Sequence, residues 1–186
     1  MTGRMLVAGV GNIFLGDDGF GVEVAGRLAK ADLPDWVRVA DYGISGMHLA
    51  YDLAEGFDTT ILVDAMQRGD EPGTIYVVEP DPAQRPAGDA ALSLFNAHGM
   101  QPDVVLDLAG TLGIEAGRVL VVGCEPANLD EGMGLSPAVA AAVDEAVRVV
   151  IRLVTRPRHD EERHDEERHD EERSAAGPQQ EITARG

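Results

Sequence analysis

Residues 5–11, Met5-Leu6-Val7-Ala8-Gly9-Val10-Gly11, form a short run that is apolar at both alternating sets of positions. That is the pattern of a strand buried on both faces of a parallel sheet, and it is expected to be the first and central strand. Phe20, Val24 and Leu28, with Val22 and Ala25 between them, recur at helical spacing over residues 19–31, and Pro34 lies beyond the end. Residues 37–41 read as a second strand, 45–54 as a second helix with Ser45 available as N-cap, and 60–65 as a third strand. The alternation predicts βαβ units. Residues 74–78 follow a polar link over 67–73 that is too short for a helical crossover, so an antiparallel neighbour and a mixed sheet are expected. Residues 81–90, rich in Pro, Ala and Asp, read as a surface loop, 102–112 as a helix and 118–124 as another buried strand. Ser136-Pro137 then opens the strongest helix, a capping side chain followed by Pro at the first helical position, running to about residue 154. The expected fold is α/β, a three-layer α/β/α sandwich with a mixed, mostly parallel central sheet.

The pattern stops at Arg156. Three perfect copies of His-Asp-Glu-Glu-Arg occupy residues 159–173, followed by Ser-Ala-Ala-Gly-Pro-Gln-Gln. Arg and Glu at i, i+4 could support a fraying helix, but five-residue spacing turns successive His159, His164 and His169 by ~140° around it, which spreads them apart instead of gathering a metal site. The reading is one domain over residues 1–155 and a low-complexity, disordered acidic tail over 156–186.

Charge and cysteine content narrow the classes of function. The chain has 186 residues and a formal charge of −18. Each repeat copy carries three acids and one arginine, so the copies account for −6 and the body remains acidic. Such a surface repels phosphate backbones and anionic lipid heads, so nucleic acid is not expected as a partner. Cys124 is the only cysteine, which leaves oxygen and imidazole as the ligands for any metal. No apolar run reaches the ~20 residues of a membrane span, and the start of the chain does not read as a signal peptide. A cytoplasmic protein without membrane insertion is expected.

Gly9-Val10-Gly11-Asn12-Ile13-Phe14 begins like a dinucleotide fingerprint but has Phe14 at the third glycine position. Gly11 and Gly16 have P-loop spacing, yet Asp17 and Asp18 stand where Lys and Ser or Thr would be needed. The glycines read more simply as tight packing at a strand-to-helix turn. What remains is an acidic pair after the first strand, at the edge where open α/β sheets bind ligands. Either acid could instead complement a helix dipole. Asp64, following Ile61-Leu62-Val63, should lie at the same edge, as a ligand or as an acceptor for loop amides. His98, on a loop ahead of a helix, is weak alone. Two carboxylates and an imidazole at one sheet edge would make an open divalent-metal site.

The ordered series Gly9-Val10-Gly11-Asn12-Ile13, Gly16-Asp17-Asp18-Gly19-Phe20-Gly21-Val22, Asp41-Tyr42-Gly43-Ile44-Ser45-Gly46-Met47, Val63-Asp64-Ala65, His98-Gly99-Met100 and Gly123-Cys124-Glu125-Pro126 resembles the hydrogenase maturation protease family. The resemblance covers about residues 5–154. It implies an α/β/α fold and an endopeptidase that removes the C-terminal extension of a nickel-iron hydrogenase large subunit after nickel insertion. The family's metal-contacting positions fall on Asp18, Asp64 and His98. Relatives can carry Glu at the first of these, which leaves Asp17 as a possible substitute for the shorter Asp18. Asp41 matches a further acidic position, implied to position the substrate; as a residue it also reads as a turn-forming Asp. The repeats of the tail have no counterpart in the family pattern.

No Ser/His/Asp or Cys/His arrangement is evident, so metal or carboxylate chemistry remains for peptide hydrolysis, and Cys124 reads as a core residue. The expected metal is nickel supplied by the substrate, the immature hydrogenase large subunit; another divalent metal could occupy the site. The rival readings are a hydrogenase assembly chaperone that cuts nothing and a Rossmann-like nucleotide-binding module.

Overall fold

Runs of β-branched and aliphatic residues that are apolar on both sides become the interior strands, and the amphipathic stretches become the covering helices. The computed structural model describes residues 3–80 and 117–155. Five strands form one sheet: β1 Met5–Val10, β2 Val37–Gly43, β3 Thr59–Ala65, β4 Ile75–Val78 and β5 Arg118–Cys124, in the spatial order β2-β1-β3-β5-β4. The pairs β1/β2, β1/β3 and β3/β5 are parallel, and β4 runs antiparallel to β5. The sheet is therefore mixed and mostly parallel, as the short link before β4 required.

Two details differ from the sequence reading. The middle position belongs to β3, with β1 beside it; β1, β3 and β5 are all buried and aliphatic, so local hydrophobicity does not rank them. The antiparallel partner of β4 is β5, which inserts between β3 and β4.

Helix α1, Phe20–Leu28, follows β1 after a short 3-10 turn over Gly16–Gly19, α2 is Gly46–Leu53, and α3 is Pro137–Thr155. The two-residue periodicity of the strands separates two cores. Val7, Ile61, Val63, Leu120 and Val122 face Phe20, Val24 and Leu28 of α1 and Val139, Val143 and Val150 of α3. Leu6, Ala8, Leu62 and Val121 face the other way, against Leu49 and Leu53 of α2. Helices on both faces of one sheet make the α/β/α sandwich. Each fully buried Leu or Phe contributes about 1.5–3 kcal/mol, so these two aliphatic layers are the main stabilising term.

Ser136 caps α3: its Oγ accepts from the Val139 amide at 3.4 Å, and Pro137 is the first helical residue. Ser45 sits at the N-cap of α2 but makes no side-chain cap. Its hydroxyl pairs with His48 Nδ1 at 2.8 Å instead. The expected loop over 81–90, the helix over 102–112 and the tail repeats lie outside the described residues.

Candidate active site at the carboxyl edge of the sheet

The chain leaves β1 toward β2 on one side and leaves β3 toward β5 and β4 on the other, so the strand order reverses between β1 and β3. Loops leaving adjacent strands in opposite directions open a crevice at their carboxyl ends. Asp18 lies on the turn after β1, and Asp64 is the penultimate residue of β3.

Close backbone packing brings them together. Gly11, at φ +130°, leaves no room for a β-carbon, which would collide with the backbone carbonyl of Asp18 and come within 3.8 Å of Asp64 Oδ1. Behind the turn, a β-carbon on Gly21 would strike the carbonyl oxygens of Val63 and Val10. Absence of a side chain thus lets α1 sit directly on β1 and β3 and holds the acidic turn over the crevice. The glycines serve packing, as expected once the nucleotide motifs failed.

Asp18 is half-buried, and its Oδ2 accepts from the Asn12 amide at 2.7 Å. Burial raises its pKa, and that hydrogen bond offsets only part of the rise. Asp64 is 6% exposed and accepts from the Ala65 amide at 2.8 Å. Burial first, and the negative charge of Asp18 second, push its pKa well above the ordinary carboxylate range. Two mutually repelling carboxylates in a sheltered crevice are stabilised either by a proton or by a cation.

Asp17 has a different task. Fully buried, it accepts from Ala127 and Asn128 on Oδ2 at 2.8 and 3.0 Å and from Ser136 on Oδ1 at 2.6 Å. Burial alone would raise its pKa, but these amides outweigh it and hold the carboxyl below its usual range. Both oxygens are spent on the loop between β5 and α3, so Asp17 is a poor substitute for Asp18. Asp41 is exposed at the end of β2, and its Oδ1 accepts from the Gly43 amide at 2.8 Å. That is the turn-forming arrangement, with the other oxygen left toward solvent at the same carboxyl edge. His98 lies outside the described residues, and among the described residues no group of three or more metal-ligating side chains occurs.

Glu125 received no role from the sequence. It is buried and accepts from the Arg68 amide at 2.7 Å, the Gly69 amide at 3.1 Å and the Tyr76 hydroxyl at 2.8 Å, which ties the loop after β3 to the end of β5. The signal that marks Asp64, an acid straight after an apolar strand, marks Glu125 equally; only the amides around it separate clamp from candidate ligand. Cys124 is buried in the core beneath it, and burial pushes its thiol up to about 12. A thiol so protonated is no nucleophile at neutral pH.

Comparison with known proteins identifies the relatives of this chain. The family model for hydrogenase maturation protease matches residues 22–153. The hydrogenase 2 maturation protease of Escherichia coli (strain K12) is 32% identical over 150 residues, covering 80% of this chain and 88% of its own. The hydrogenase expression/formation protein HupD of Rhizobium leguminosarum bv. viciae is 37% identical over 153 residues, covering 79% and 74%. Among solved structures, the hydrogenase maturating endopeptidase HybD from E. coli superposes with a TM-score of 0.65 at 31% identity, covering 81% of this chain and 91% of that one. The chain belongs to the hydrogenase maturation protease family.

Proposed function

We propose that this protein is a processing endopeptidase that removes the C-terminal extension of a nickel-iron hydrogenase large subunit after nickel insertion, and that it does so in the cytoplasm. The observation that carries the reading is the pairing of Asp18 with a buried, proton-hungry Asp64 in the crevice between β1 and β3, on a chain of this family. Among the described residues no helix is long and apolar enough to cross a membrane.

The donor set suits a divalent cation. Burial first, and the charge of Asp18 second, make the ionised form of Asp64 costly, so this pair gains a partner when a cation enters, and the Asn12 amide leaves one oxygen of Asp18 uncommitted. Asp18, Asp64 and His98 are the proposed ligands, and nickel carried by the precursor is the proposed occupant. Such an ion supplies Lewis-acid polarisation of the scissile carbonyl. The chain's own residues contribute position: the Asn12 amide fixes Asp18, the floor of the sheet fixes Asp64, and Asp41 meets the substrate from the end of β2. Binding of the precursor's metal also gives a means of rejecting unfinished substrate.

Incubation of the purified protein with a nickel-loaded precursor tests the reading. Release of the C-terminal peptide by the wild type, and its loss in folded Asp18→Ala, Asp64→Ala and His98→Ala variants, is the expected result. Stable complex formation without release would make the protein an assembly chaperone, and undiminished cleavage by His98→Ala would remove that residue from the site.

A further inference from the structure

The rim of the crevice is unusually apolar for a surface of loops. Phe14 is 60% exposed and Met133 74% exposed, with Ile13 beside them at 42%. They belong to segments far apart in sequence that the backbone zips together: Gly132 donates to the Phe14 carbonyl at 2.9 Å, Gly16 donates to the Gly132 carbonyl at 2.9 Å, and Asp17 donates to that of Asn128 at 2.9 Å. Their exposure is therefore fixed by main-chain pairing. Ile13, Gly16, Gly19 and Met133 also border one groove of about 400 Å³ that continues between α1 and α3, where the Arg27 it exposes is already ion-paired to Glu23 and Asp144.

Charge defines what fits there. With Asp17 and Glu125 buried on backbone amides, the acids left to face outward from the described loops at this edge, residues 11–19, 43–47, 66–74 and 125–136, are Asp18, Asp70, Glu71, Asp130 and Glu131, against one basic residue. That residue, Arg68, has its guanidinium over the Tyr76 ring at 5.1 Å. Asp130 and Glu131 lie between the apolar Leu129 and Met133, are exposed, and have no ion-pair partner among the described residues. Burying a large apolar side chain in a ring of unneutralised acids is favourable when the partner brings cations around it.

We infer that the Ile13, Phe14 and Met133 rim is the docking surface for the precursor polypeptide, and that it accepts a segment joining apolar side chains to flanking basic ones. The inference deepens the proposed protease reading and rests on it. Phe14 and Met133 act as apolar anchors beside the crevice, Asp130 and Glu131 as the electrostatic fringe, and none of the four touches the scissile bond.

Steady-state cleavage of the nickel-loaded precursor by the full chain tests this. Phe14→Glu and Met133→Glu should each raise KM about tenfold, the scale of an interface anchor, with little change in kcat. Met133→Leu should behave as wild type, and thermal unfolding of all three should match the parent because the side chains are exposed. The Asp130→Lys/Glu131→Lys double variant should also raise KM, and the salt dependence of the wild-type KM should be weaker in it. An unchanged KM in both glutamate variants overturns the inference, as does a KM insensitive to salt and to the charge swap. So does a finding that Met133→Glu dissolves a homodimer while leaving KM alone, since the rim would then cover a second copy. If the wild type cleaves nothing, it is the protease reading that has failed, and the two failures are distinguishable.

Discussion

The amide of Ser136 donates to Oδ1 of Asp17 at 2.6 Å across 119 positions of sequence, tying the turn after β1 to the residue that opens α3. With the Ala127 and Asn128 amides on the other oxygen, a single side chain organises the whole β5 to α3 loop. Replacing it strands three donors. Asp17→Ala should lose about 3 kcal/mol or more of unfolding free energy, given about 1–3 kcal/mol for each unsatisfied buried group. Asp18→Ala, which frees one amide on a half-buried residue, should lose less. Denaturant unfolding of the two variants checks the ranking.

Asp17 also sets an acid limit. Its pKa is lowered in the folded state, so above the unfolded value its ionised form favours folding, and that contribution is lost as pH falls through the depressed folded value. Stability measured between about pH 5 and pH 2 should therefore drop more steeply in the wild type than in Asp17→Asn.

Asp64 has the opposite sign. Its raised pKa means that the folded state binds more protons than the unfolded state in the interval above the ordinary carboxylate value, so its contribution to stability falls as pH rises through that interval. Metal-free Asp64→Asn should unfold at a higher temperature than wild type at neutral pH, with the gap closing as pH falls, and should release no peptide. A less stable Asp64→Asn at neutral pH would show that the crevice favours the charged form.

Much of this was written locally in the chain. The aliphatic runs of β3 and β5 and the Ser136-Pro137 start of α3 are contiguous signals, and the structure places those elements within a residue or so of their expected bounds. Strand order was not legible, because β1, β3 and β5 are equally buried and their neighbours are chosen by crossovers. The acids after β1 and β3 were findable from their places at strand ends. Telling Asp17 from Asp18 was not, since the difference lies in amides more than a hundred residues away. Glu125 was overlooked because its clamp is likewise made by groups remote in sequence, the Arg68 and Gly69 amides and the Tyr76 hydroxyl.

The seat of α1 on the sheet offers a packing test. A β-carbon on Gly21 would collide with carbonyl oxygens of two strands, and backbone cannot move aside as a side chain can. Gly21→Ala should cost about 1–3 kcal/mol, the usual penalty of overpacking, despite the better helix propensity of alanine. It should also slow cleavage by shifting the turn that carries Asp18. Wild-type melting temperature and activity in this variant would refute the close approach.

The tail should be dispensable for catalysis. A segment of repeated His-Asp-Glu-Glu-Arg offers almost no apolar surface to bury. Truncation after residue 156 should shift the melting temperature by no more than about 2 °C, corresponding to about 0.5–1 kcal/mol for a domain of this size. Precursor cleavage should proceed at the parental rate, and a large loss of either would assign the repeats a role in the domain.

On the proposed mechanism the metal arrives with the substrate. The three proposed ligands, none of them cysteine, should hold a late transition metal less firmly than a thiolate site would, while an ion already fixed in the precursor could bridge both partners. Discrimination between finished and unfinished precursor then follows from differential affinity, ~1.4 kcal/mol for each tenfold preference. The direct measurement offers metal-stripped enzyme equal amounts of precursor with and without nickel and follows release of the C-terminal peptide. Rapid release from the nickel-loaded precursor and little from the other is the expected result; equal rates on the two would contradict delivery of the metal by the substrate.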